Sequence, residues 1–419
     1  MKIVIGITAA DFAGNKGAAA MLQSILVNTQ KEHPDADYKL FSVYPSEDRQ
    51  QNTYSNLEIV SCKPEQIIFI AFPLAVLFFL LKWIRPVRSL LLKNKILKGI
   101  YACDFIVDAA GISFVDSRGF VMNTYNFICA ATPTLLGRKV IKVSQALGPF
   151  NRFWNRLWAK MVLPKLDRVC ARGSITESYL TGLGLENIEL CADIAFSMQD
   201  SPDADRSVES IKAKSPAFWE QDVVSVSISS VVNKYCIKND IDYAGIMKQF
   251  ILHLNQKGYG VLIIANAARK GSLKSKNNDL VICQKVYDSL DNKDACIWYP
   301  EEFTPEIIRS LISQTKILIA SRFHAMIGAL EKGVPVLLIG WSHKYKEVLD
   351  MFDIGSYALD YKQLKFKDLV DEFARLESEY NQVRQKIEIN LPAVKKSSYR
   401  NIEIIAEKAK AVSGVKNGN

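Results

Sequence analysis

Cysteine and histidine nowhere stand together in this chain at the spacing of a metal site. The eight cysteines, at 62, 103, 129, 170, 191, 236, 283 and 296, are scattered, with no C-x-x-C and no Cys/His pattern of a zinc centre. No metal is therefore expected; the thiols read as small apolar packing residues, and their reduced state places the chain in the cytosol. Aromatic-basic repeats of an RNA or DNA module are also missing, so the net charge of +9 is not assigned to nucleic acid. Its basic excess lies at 82–98, 138–172 and after Lys395. The apolar start Met1–Ile7 looks superficially like a signal peptide, but it ends by Asp11 in a Gly/Asn loop and is expected to be a first strand.

What is present is a two-domain α/β pattern. A chain of 419 residues, 49% of them hydrophobic, is too long for one core. Lys39–Tyr44, Ile59–Ser61, Phe105–Ala109, Lys139–Ser144, Arg168–Ala171 and Glu189–Cys191 have the short, continuous apolar character of parallel strands, with helical patterns between them. A second set begins at Val223–Ser229 and runs to Ile317–Ala320 and Val336–Gly340. The expected layout is an N-terminal α/β domain over 1–200, a linker over 201–222, a C-terminal α/β domain over 223–365 and a helical tail over 366–419 that returns to the first domain. Two Rossmann-like parallel-sheet domains facing a cleft are the economical solution.

Residues 67–81 form an unbroken apolar run, shorter than the roughly 18 to 20 residues of a spanning helix. Lys82-Trp83-Ile84-Arg85 follow, and such residues suit a lipid headgroup region. The insert 66–98 is expected to lie on an anionic membrane surface as an interfacial element, with a spanning or buried helix as alternatives. A second candidate is Arg152–Met161, where Trp154, Trp158 and Met161 fall at helical spacing beside Arg152, Arg156 and Lys160.

The chemistry collects at predicted strand ends, where open α/β sheets bind ligands. Ile317–Ala320 stops at Ser321-Arg322-Phe323-His324, which sets a guanidinium and an imidazole at a helix start, a position that favours anions. Asn15-Lys16-Gly17 opens the first helix, Gln145 ends a strand before Gly148-Pro149, and Arg172 ends another before Ser174.

These residues resemble the polysaccharide pyruvyl transferases. The likeness runs from Asn15-Lys16-Gly17 through Gln145-x-x-Gly148-Pro149, Arg172 and Asp193 to Ser321-Arg322-x-His324, Gly333-x-Pro335 and Lys344. It implies a GT-B-like fold, an N-terminal acceptor side and a C-terminal donor side. It also implies transfer of a pyruvyl group from phosphoenolpyruvate to a sugar hydroxyl, free or lipid-linked, as a ketal in cell-surface polysaccharide synthesis. Phosphoenolpyruvate is the donor substrate and no cofactor is called for.

On this reading Arg322 and Arg172, expected to point into one cleft, hold the carboxylate and phosphate, because a planar fork matches both. Lys16, Asn15, Gln145, Ser321 and Lys344 complete the binding set. His324 is the expected proton donor and Asp193 the proton acceptor for the hydroxyl. The enzyme would work from the cytoplasm, peripheral or monotopic on the inner face of the membrane. Two other readings use the same residues differently: a GT-B nucleotide-sugar glycosyltransferase, and a catalytically silent, membrane-associated envelope-assembly protein.

Overall fold

Fifteen strands lie among the described residues of the computed structural model, which are 2–269, 278–340 and 343–417. The chain divides into two compact units, the first made of Met1–Ala13, Met21–Ser197 and Lys396–Asn419, the second of Gly14–Ala20 and Met198–Lys395.

In chain order the strands begin with β1 (Val4–Thr8), β2 (Gly14–Asn15), β3 (Asp37–Ser42), β4 (Leu57–Ser61) and β5 (Phe105–Asp108). There follow β6 (Lys139–Gln145), β7 (Arg168–Ala171), β8 (Ile188–Leu190), β9 (Val223–Ser227) and β10 (Gly260–Ile264). The last are β11 (Ala267–Ala268), β12 (Cys296–Trp298), β13 (Ile317–Ala320), β14 (Val336–Gly340) and β15 (Ala358–Asp360).

The first unit carries a seven-stranded parallel sheet in the order β4-β3-β1-β5-β6-β7-β8. Its strands are apolar on both faces because helices cover both, and Ile5, Ile7, Val107, Ile141 and Val169 are all fully buried. The order reverses between β1 and β5, so the ligand crevice of such a sheet falls beyond Thr8 and Asp108. The C-terminal helix Tyr380–Asn417 returns to this unit with its second half. Asn401 accepts from Ser144 N at 2.8 Å and Ser397 from Ala192 N at 2.9 Å, which satisfies strand-end amides that would otherwise be buried alone.

The second unit carries six parallel strands in the order β12-β10-β9-β13-β14-β15. Here the reversal lies between β9 and β13, whose carboxyl ends lead into Ser229-Ser230 and Ser321-Arg322.

Two expectations need correction. The stretch 201–222 is not an open linker: Pro202–Lys212 is a helix capped by Ser201, which accepts from Ala204 N at 3.3 Å, and Pro216–Glu220 is a 3-10 turn. Ser-Pro at this point is a helix start, with proline at the first helical position, and not a breaker. Asp205 then accepts from Ser310 at 2.7 Å, fastening the helix to Pro305–Ser313. The second correction concerns Gly14–Ala20, which belongs with the second unit. β2 pairs antiparallel with β11, and Lys16 N donates to Asn266 O at 3.2 Å.

Candidate active site

In the second unit, Arg322 precedes the helix Phe323–Glu331 and is held by Asp279, the first residue of the helix Asp279–Asp288. Nε and Nη2 donate to the two carboxylate oxygens at 2.8 and 2.5 Å, a bidentate fork, and Nη2 also reaches Ser230 Oγ at 3.2 Å. Burial alone would lower the guanidinium pKa; Asp279 outweighs it and the net direction is up, so Arg322 stays charged. Asp279 is fully buried and also accepts from Ser230 N and Ala267 N, both at 2.9 Å. It thereby ties the ends of β9, β11 and β13 together. The Nη1 edge of Arg322 stands outside this pair.

His324 lies on the opening turn of helix α1 (Lys16–Glu32). A methyl group on Gly17 would come within 1.9 Å of His324 Nδ1, so only glycine admits the imidazole there. Asn15 Oδ1 accepts from Gly17 N at 3.0 Å and caps this helix start. Lys16 is buried and paired with Glu302 at 2.7 Å. Lys344 Nζ sits 5.2 Å over the Phe323 ring and 5.3 Å over that of Tyr345, and Phe323 packs edge-on against His324. Contact by contact, Asn15, Lys16, Arg322, His324 and Lys344 of the expected set come together.

Ser321 belongs to this neighbourhood in a different role. It is fully buried and accepts from the Tyr243 hydroxyl at 2.8 Å. Burial pushes the Tyr243 pKa up, so the phenol keeps its proton and donates. Ser321 therefore anchors the strand end and presents no hydroxyl to a ligand.

The first unit treats its expected residues likewise. Gln145 is buried, with Nε2 donating to Asp108 O and Oδ1, both at 3.0 Å, and Oε1 accepting from Ser113 at 2.7 Å. Its amide is spent on the loop after β5 and not on a sugar or anion. Asp193 is 1% exposed, accepts from Arg172 Nη1 at 2.8 Å and takes Ala195 N at 2.9 Å. It orients Arg172, and that burial leaves it no face toward a sugar hydroxyl.

Lys142 and Asp108, a buried ion pair at the switch point, were not anticipated. They border a mainly apolar cavity of about 70 Å³ that Thr8, Tyr125, Cys62 and Cys129 also line. Burial pushes the Cys62 thiol up to about 12, so it stays protonated and unreactive. A lysine flanked by the apolar Val140, Ile141 and Val143 within a strand was the available signal. Asp279 offered none, since an acid in a first helical turn is ordinary.

Two Rossmann-like parallel sheets, each with polar groups gathered at its switch point, define a GT-B-type α/β fold. Solved structures agree in fold. UDP-GlcNAc 2-epimerase from Neisseria meningitidis superposes with TM-score 0.57 at 11% identity, over 98% of this chain and all of that one. A trehalose-phosphate synthase from Burkholderia vietnamiensis gives TM-score 0.58 at 10% identity, over 98% and 99%. The sequence profile of the polysaccharide pyruvyl transferases matches residues 15–343, and the chain belongs to that family. It is a transferase of polysaccharide biosynthesis. The amylovoran biosynthesis protein AmsJ of Erwinia amylovora is 19% identical over 396 residues, 89% of this chain and 92% of that protein.

Proposed function

We propose that this enzyme moves a pyruvyl group from phosphoenolpyruvate to a sugar, and that the cluster beyond β9 and β13 holds the donor. The observation that carries the proposal is the seating of His324 on the opening turn of α1, beside an arginine fixed by a buried carboxylate. An anion is favoured at such a helix start, and Lys344 and the Nη1 edge of Arg322 supply further positive charge.

The chemistry follows from the donor. His324 gives a proton to the methylene carbon, which leaves C2 electrophilic. A sugar hydroxyl attacks C2 and passes its proton to the imidazole of His324, which restores the donor form. A second hydroxyl of the same sugar then displaces phosphate: the new C–O bond forms as the C2–O bond to phosphate breaks, and phosphate departs with that hydroxyl's proton. The products are a six- or five-membered ketal and inorganic phosphate. Family membership favours this reading over nucleotide-sugar transfer and over a silent assembly role.

The test is release of phosphate from phosphoenolpyruvate in the presence of oligosaccharides bearing free 1,2- or 1,3-diols. Acceptor-dependent release by the wild type and its loss in His324→Ala are expected. Release of nucleotide from a nucleotide-sugar instead would overturn the assignment.

A further inference from the structure

We infer that three helices of the first unit form one apolar face that docks this enzyme on an anionic lipid bilayer. The apolar insert is helical from Pro64 to Leu81, including a π-helical turn at Ile67–Ala71. One stripe of it, Ile67, Ala71, Ala75 and Phe78, is buried in the core of the unit. The opposite stripe is open: Phe69 is 75% exposed, and Ile70, Leu77, Phe79 and Leu80 are exposed with it, as is Trp83 just beyond.

The face does not end with the insert. Helix Phe72–Leu81 packs on Gly119–Leu135, which packs on Phe153–Val162. Phe72 meets Phe127 edge-on, Phe127 stacks on Trp158 at 4.7 Å, and Phe120 meets Trp154 edge-on. Each added helix brings its own outward apolar residues, namely Phe120, Val121 and Met122 from one, Phe153, Trp154 and Met161 from the other. The two membrane candidates seen in the sequence are therefore parts of a single exposed apolar surface.

Charge identifies the occupant. No aspartate or glutamate occurs in 66–103 or in 117–166. Lys82, Arg85, Arg88, Arg152, Arg156 and Lys160 border the apolar residues in sequence, all but Arg88 of them exposed. An apolar centre with tryptophans and a mainly basic border, with Glu65 an acid in the first turn of the insert helix, matches the interface of an anionic leaflet.

Topology excludes a span. The chain leaves β4 and re-enters at β5, two strands of one sheet, so an odd number of membrane crossings is impossible. Among the described residues Pro64–Leu81 is the single helix apolar and long enough to cross. It must lie in the interface, in one leaflet.

The test uses the full chain and sedimentation with vesicles of phosphatidylglycerol mixed with phosphatidylcholine. The wild type is expected to pellet, to resist high salt and to be released by detergent. Phe69→Ser/Leu80→Ser/Trp83→Ser should stay in the supernatant with an unchanged circular dichroism spectrum; should that variant unfold, Trp83→Ala alone, at an exposed tip, is expected to weaken pelleting. Val121→Ser/Phe153→Ser should also weaken it. Lys82→Ala/Arg85→Ala should lower partitioning by roughly thirtyfold on anionic vesicles and not on pure phosphatidylcholine. Pelleting of the triple-serine variant like wild type, wild-type pelleting of Val121→Ser/Phe153→Ser, or a wild-type dimer that ignores vesicles and is broken by the same substitutions would each overturn the three-helix membrane face.

Discussion

Gly17 and His324 are one feature written at two distant places in the chain. The ring fits only because position 17 has no side chain, with 1.9 Å left to a would-be methyl group. Gly17→Ala must displace the imidazole, and turnover should fall by about ten- to a hundredfold with the melting temperature nearly unchanged. His324→Ala should lose roughly a hundredfold. A Gly17→Ala enzyme of wild-type rate would separate His324 from the chemistry. Arg322 is the other half of the cluster, and its substitutions separate two functions. Arg322→Ala strands the Asp279 carboxylate among buried groups and should destabilise the protein by about 3–5 kcal/mol, measured by denaturant unfolding. Arg322→Lys keeps the charge and loses the fork, so the fold should hold while the KM for phosphoenolpyruvate rises about tenfold. Equal KM values for the Arg322→Lys and wild-type enzymes would remove Arg322 from donor binding.

At the scale of elements, caps and long-range ion pairs decide what the apolar pattern leaves open. Ser201→Ala removes the cap of Pro202–Lys212 and should reduce stability by about 1 kcal/mol in denaturant unfolding, a loss a loose linker would not show. Glu377 joins the helix Phe366–Ser378 to Lys257 and Tyr259. Burial alone would raise its pKa, but the hydrogen bonds from Lys257 and Tyr259 prevail and the net direction is down from 4.5. A lowered carboxyl contributes stability above its unfolded pKa that is lost as pH falls through its folded one. Glu377→Gln should therefore cost about 1 kcal/mol at neutral pH and flatten the loss of stability on acidification below 4.5; parallel pH-stability curves would contradict the pairing.

The same distinction explains what the sequence made legible. β13 and β14 could be read because their runs are apolar on both faces, and Arg322 and His324 because such a run stops abruptly at them. The partners could not. Asp279 lies 43 residues before Arg322, and Gln145 meets Ser113 and Asp108 across the sheet, contacts that no local periodicity encodes. The helix Pro202–Lys212 was hidden by residues that break helices inside and begin them at the end.

As a whole molecule the chain is a pair of parallel-sheet units whose polar clusters each occupy a switch point, one beyond β9 and β13 and one beyond β1 and β5. The two clusters differ in kind. The first unit closes its crevice with the Lys142–Asp108 pair and apolar walls, whereas the second keeps His324 half-buried and Lys344 over the faces of two aromatic rings. On the proposed function, the second cluster recognises a small polyanion and not a nucleotide. Calorimetric titration of the purified full chain with phosphoenolpyruvate, and separately with a UDP-sugar, tests this without any acceptor. One equivalent of phosphoenolpyruvate should bind, with affinity weakened at least about tenfold in Arg322→Lys and the UDP-sugar giving no saturable heat; saturable binding of the UDP-sugar with none of phosphoenolpyruvate would contradict the account.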